Sequence, residues 1–198
     1  MKIGITGGIG SGKTYVCKII SSLGYPIYDC DSRAKVLMST DKALISSIKQ
    51  LVGCDSYNND GSINKEVIAG FLFANKSNAD KMNQLVHPAV KRDFLQWASE
   101  QQSECVFMES AILFESKFND AVDHTVAIYA PAEIRLKRAM KRDNTTKEKI
   151  ESRMRQQLTE QEILSLSDYQ IINDGDADVH SQVLELLSKL KDGKQQYF

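Results

Sequence analysis

The stretch KIGITGGIGSGKT, residues 2–14, constrains the fold more than any other part of the chain. An apolar run over Lys2–Thr6 predicts a short buried strand. Val16, Ile19, Ile20 and Leu23 then recur at helical spacing and predict a helix over Thr14–Leu23 that ends at Gly24. Between the two, GGIGSGKT matches G-x-x-x-x-G-K-[ST] through Gly7, Gly12, Lys13 and Thr14. Glycines there let successive backbone N–H groups turn inward around a phosphate, and the helix start adds the positive end of its dipole. Lys13 is expected to reach the β and γ phosphates of a nucleoside triphosphate, and the Thr14 hydroxyl to ligate Mg²⁺. The plain alternative is a glycine-rich turn capped by Thr14.

YPIYDCD, residues 25–31, predicts a second strand, followed by a helix through Ala34, Leu37 and Met38. Strand, helix and strand within forty residues require a parallel pair with a right-handed crossover. From about Asp41 to Gln102 the apolar residues keep helical spacing (Leu44, Ile45, Ile48, Leu51, Val52; Val67, Ile68, Phe71, Leu72), with a turn at NNDG. Strand patterns return at Cys105–Glu109, Thr125–Ala130 and Tyr169–Asn173. The expected fold is α/β, a five-stranded parallel sheet flanked by helices of the phosphate-loop NTPase type. One domain spans residues 1–198, with a core of about 1–40, 103–134 and 168–198, a helical insertion of about 41–102 and a helical lid of about 135–167.

A formal net charge of −1, with 42% hydrophobic and 26% charged residues, is that of a globular protein, so no nucleic-acid polymer is expected as partner. No apolar run approaches the ~20 residues of a membrane span. With six residues ahead of Gly7 no secretory leader is expected, and the location expected is cytoplasmic. Cys17, Cys30, Cys54 and Cys105 form no C-x-x-C pair and are expected to be buried reduced thiols. Nothing in the sequence decides the oligomeric state.

A phosphate loop alone does not name a reaction. D-x-x-G and [NT]-K-x-D, which a Ras-type GTPase would carry, are missing, as is L-S-G-G-Q of the ABC ATPases; a small-substrate kinase remains. Asp29 and Asp31 are read at the carboxyl end of the second strand, where ligand crevices form. Either they act together on an acceptor hydroxyl and a metal-bound water, or an Asp caps the following helix. Glu109 ends a strand, either near Mg²⁺ or as a sheet-edge carboxylate. Arg135, Arg138 and Arg142 fall on one helical stripe, and KIESRMRQQ predicts a second helix carrying Arg153 and Gln157. The pair reads either as a lid whose arginines meet the transferring phosphoryl group or as a solvated basic surface. NDG at Asn173–Gly175 is a turn.

Taken together, GITGGIGSGKT, DCDSRAK, LVHPAV, ILFES, RLKRAMKRD, the Gln of RMRQQ and IINDG resemble the dephospho-CoA kinase family almost end to end. The resemblance implies ATP- and Mg²⁺-dependent phosphorylation of the ribose 3′-hydroxyl of dephospho-CoA, giving coenzyme A. It implies Asp31 as base or orienting carboxylate, with Lys13 and Arg142 also catalytic. Gly8, Ile9, Gly10, Ser11, Gly12, Lys13, Thr14, Tyr15, Arg138, Asn173 and Asp174 would hold the nucleotide. Asp29, Asp31, Lys35, His87 and Glu115 would serve the substrate, and Thr14 and Glu109 the metal. His87 alternatively belongs to a helix end or core. Lys35 replaces an Arg common in the family and so loses a bidentate fork, and Ala111 replaces a Pro. Two rivals stay open: another phosphate-loop nucleoside or nucleotide kinase, and a nucleotide-binding protein without transfer chemistry.

Overall fold

The computed structural model describes residues 1–192; residues 193–198, the end of the expected core, lie outside the described residues. Five strands, β1 (Lys2–Thr6), β2 (Ile27–Asp29), β3 (Val106–Glu109), β4 (His124–Tyr129) and β5 (Tyr169–Ile172), form one parallel sheet in the order β2-β3-β1-β4-β5. Ile3 and Ile5 of β1 pair with Phe107 and Glu109 of β3, and Ile3 and Ile5 also face His124 and Val126 of β4. Helices cover both faces of such a parallel sheet; accordingly Ile3, Ile5, Phe107 and Val126 on one face and Met108 and Ala127 on the other are buried.

Two compact units divide the chain, Met1–Tyr28 with residues 101–198, and Asp29–Glu100. In the first, α1 (Lys13–Ser22) and α9 (Val179–Asp192) pack together over the sheet, closing a core of Val16, Ile20, Ile128, Ile171, Val183 and Leu186. Tyr25 meets the Phe107 ring edge-on at 5.9 Å. Helices α6 (Ala132–Asp143), α7 (Lys147–Met154) and α8 (Glu160–Leu166) connect β4 to β5; α6 packs on α7 and α8 on β4. At the outer strand, the Gln182 side chain of α9 accepts from the Ile172 N–H (2.8 Å) and donates to the Ile172 carbonyl (2.9 Å).

The second unit is helical: α2 (Cys30–Thr40), α3 (Lys42–Val52), α4 (Lys65–Ala74) and α5 (Lys76–Ser99). Each begins at an Asp or Asn whose side chain accepts from first-turn N–H groups: Asp29, Asp41, Asn64 and Asn75. The 24-residue α5 is the spine on which the other three pack, and it tolerates Pro88 in its interior. Arg33 forks onto Asp93 with both bonds near ideal length, 2.9 and 2.7 Å. Because this pair ties α2 to α5, the helical unit begins at Asp29 and not near residue 41. The NNDG turn is present, bracketed by a bridge between Tyr57 and Ile63. Cys17, Cys30 and Cys105 are buried thiols, whereas Cys54 is exposed in a single helical turn and corrects the expectation for that residue. Among the described residues no helix is long and apolar enough to cross a membrane.

His87 lies within α5, and burial pushes its pKa below the ordinary value. The unfolded chain therefore binds a proton more readily than the folded one, so the stability held at neutral pH falls as pH drops through the ordinary value of about 6.5. Urea midpoints measured between pH 7.5 and 5 are expected to decline with a slope that His87→Asn flattens; an unchanged slope would remove this assignment.

Candidate active site

At the carboxyl end of β1 the chain turns through Gly7–Gly12 into α1. Gly10 and Gly12 have φ of 80° and 95°, left-handed values that side chains disfavour. Space forbids a side chain as well: a Cβ on Gly10 would overlap the Arg135 main-chain carbonyl, and one on Gly12 the Asn173 side-chain amide. Because Gly12 stands at the N-cap, no side chain satisfies the first-turn N–H groups of α1. Such a helix start attracts an anion. The Lys13 ammonium arches back over the loop to the Gly7 and Gly8 carbonyls, at 2.8 and 3.4 Å.

Ser11 is completely buried, and its carbonyl accepts from the Asn173 amide at 2.8 Å. Asn173 is itself buried; its carbonyl accepts from Arg138 at 2.9 Å and its N–H donates to the Tyr129 carbonyl. Asn173 and Arg138 thus brace the loop from the end of β5. Asp174 accepts from the Ala177 and Asp176 N–H groups, and these bonds, with the Arg138 charge, hold its carboxyl below the usual range. A cavity of about 490 Å³ opens beside the loop, lined by Gly12, Tyr15, Arg138, Asn173, Gly175 and His180.

The Thr14 hydroxyl donates to a Glu109 carboxylate oxygen at 2.9 Å, so the two candidate metal ligands are neighbours. One hydroxyl and one carboxylate suit Mg²⁺, which takes few protein oxygens and fills its octahedron with water and phosphate.

The arginine stripe separates into three environments. Arg135 is nearly buried, pairs with Glu160 at 3.1 Å and lies where a side chain on Gly8 would have to be, so it supports the loop. Arg138 bonds Asn173. Arg142 is largely exposed and binds Asp143 through two nitrogens, at 2.7 and 3.1 Å; Arg153 from α7 joins the same carboxylate. Asp143 is held down to about 2 by Arg142 and then Arg153.

Sequence reasoning placed Gln157 in the second lid helix, but α7 ends at Met154 and Gln157 stands beyond it. Its side chain accepts from the Ile9 N–H at 2.9 Å and donates to the Ala111 carbonyl at 2.8 Å. Glu115, expected on the substrate side, accepts from the neighbouring Leu158 N–H at 2.9 Å. Asp143 was not singled out at all, since an Asp beside an Arg at a helix end carries no pattern of its own.

The remaining candidates belong to the helical unit. Asp29 and Asp31 do not share a strand face: β2 ends at Asp29, and Asp31 stands in the first turn of α2. The Asp29 carboxylate is occupied as the cap, accepting from the Asp31 and Ser32 N–H groups. Asp31 and Lys35 are exposed, one turn apart on the same face of α2. His87 is within α5.

The family model described as dephospho-CoA kinase matches residues 1–178. A dephospho-CoA kinase of Bacteroides fragilis is 41% identical over 191 residues, 96% of this chain and 93% of that protein. A crystal structure from Thermus thermophilus superposes with a TM-score of 0.83 at 28% identity, covering 96% of this chain and 97% of that one. The Campylobacter jejuni dephospho-CoA kinase shares the fold, with a TM-score of 0.72 at 23% identity over 98% of this chain and all of that one. On the extent of the family match and the 41% identity over nearly the full length, the chain belongs to the dephospho-CoA kinase family.

Proposed function

We propose that this protein transfers the γ-phosphoryl group of ATP to the ribose 3′-hydroxyl of dephospho-CoA. The observation that carries the reading is the phosphate loop of this family member, with the Thr14 hydroxyl on Glu109 and Lys13 arched over the loop. In this mechanism backbone N–H groups of the loop between Gly8 and Tyr15 cradle the triphosphate, while Lys13 leaves its carbonyl partners for the β and γ phosphates. Ile9 contributes through loop shape, since its own N–H is taken by Gln157. Thr14 and Glu109 would hold Mg²⁺, which when bound would supply charge neutralisation at the phosphates. The cavity beside Tyr15 and Arg138 receives the nucleoside, with Asn173 and Asp174 shaping its wall.

Of the two acids, Asp31 is the base, because Asp29 is committed to the helix cap and supports α2 beneath it. Asp31 accepts the 3′-hydroxyl proton as the ribose oxygen bonds to the γ phosphorus; the bond from that phosphorus to the ADP oxygen breaks, and the proton then passes to solvent. Lys35 and His87 bind the phosphate-rich and carrier parts of the acceptor, and Glu115 acts through Leu158. Arg142 stabilises charge on the moving phosphoryl group, exchanging Asp143 for it.

Asp31→Asn is expected to lower turnover about 10²- to 10⁴-fold while ADP binding, followed by titration calorimetry, stays within about threefold; near-normal turnover would return Asp31 to a structural role. Glu109→Gln is expected to raise the Mg²⁺ concentration for half-maximal rate about 10- to 100-fold, read from initial rates against added Mg²⁺. Assay with dephospho-CoA beside a panel of nucleosides and nucleoside monophosphates decides the acceptor, and phosphorylation of the panel alone would replace this reading with that of another nucleotide kinase.

A further inference from the structure

The phosphate loop is fastened at several points to the segment between β4 and β5. The Arg135 backbone, at the start of α6, lies against Gly10, and the Arg135 side chain joins Glu160 at the start of α8. Leu158 is held by Glu115. Gln157 differs from these contacts in hydrogen-bonding a main-chain group of the loop. Its one amide spans 148 residues of sequence to the Ile9 N–H and 46 residues to the Ala111 carbonyl, joining the loops that follow the adjacent strands β1 and β3. Only a side chain that accepts at one atom and donates at its neighbour satisfies both groups. Glu has no N–H for Ala111, Lys has no acceptor for Ile9, and Asn is a methylene too short to keep both bonds.

Gln157 also occupies a particular place in the chain. It follows α7 directly, and α7 with α6 forms the hairpin that bears Arg153 and Arg142. The root of that hairpin is therefore pinned to the loop that holds the phosphates. We propose that Gln157 is a positioning residue: its amide locks the phosphate loop to the loop after β3 and so sets where the α6–α7 hairpin delivers Arg142. This rests on the phosphotransfer reading above for the role of Arg142. A misplacement near 1 Å at the reacting atoms costs about 10²-fold in rate, which is the scale at which losing such a strut is felt. ATP enters the loop, the loop is held by Gln157, and the hairpin shares that anchor; the arginine is thereby placed by the same contact that shapes the cradle.

The test uses the full chain and its Q157A, Q157E, R142A and Q157A/R142A variants. Q157A and Q157E are each expected to lose about 10- to 100-fold in kcat with KM for ATP moved less than about threefold. The double variant is expected to be no more than about threefold slower than R142A, because Gln157 acts through Arg142. Independently of turnover, ADP is expected to slow amide hydrogen exchange across residues 132–154 in the unaltered chain and in neither Gln157 variant. Wild-type kcat in Q157E, multiplying losses in the double variant, or hairpin protection by ADP that survives in Q157A or Q157E would each overturn the proposal. If Q157A does not fold, Q157E decides by the exchange measurement, since it keeps the acceptor for Ile9 while replacing the donor to Ala111 with an anionic oxygen. Absence of dephospho-CoA turnover in the unaltered chain would count against the proposed function, and the exchange measurement would still decide the role of Gln157.

Discussion

Two missing side chains govern the first unit. Gly10 and Gly12 adopt left-handed backbone conformations at points where the Arg135 carbonyl and the Asn173 amide come too close for any Cβ. The loop can therefore be gripped from outside, by α6 and by the end of β5, while Gln157 takes the Ile9 N–H. Burial of Ser11 and the bond from Asn173 to its carbonyl follow from that grip. A looser loop would need its phosphate ligand to shape it; here the surrounding elements do so beforehand, which lowers the ordering cost of binding.

The helical unit meets a different requirement with similar economy. Four helices start within some fifty residues, and each begins on an Asp or Asn that satisfies its own first turn. Asp29 is the instructive case, since it closes a strand and opens a helix at once. Its neighbour two positions on is left outside that duty, and the two carboxylates consequently differ in role despite their shared spacing. The Arg33–Asp93 fork then holds the helix that displays Asp31 against the long spine of the unit.

The phosphate loop, the five strands and the helical middle were legible in the sequence because each is written in contacts between near neighbours along the chain. The exchange of strand for helix at Cys30 was not, because Asp-Cys-Asp suits a strand end and a helix cap equally well. The arginine stripe illustrates a related limit. Arg135 and Arg142 share a helical face by periodicity, yet they lie about 10 Å apart along the axis, so one is enclosed against the loop and the other meets solvent and Asp143. Gln157 stood out in the pattern, but its bonds did not, since both of its partners are backbone groups distant in sequence. Cys54 escaped its expected burial because it falls in the turn after α3, outside the apolar face.

β5 is the last strand of the sheet on its side, and such a border ordinarily presents hydrogen-bonding groups to any extended peptide that drifts past. Gln182 fills part of that border with an amide that imitates one peptide unit of a sixth strand, engaging both main-chain groups of Ile172. The sheet is thereby terminated from within its own chain, and lateral growth from one molecule into the next loses its foothold at that residue.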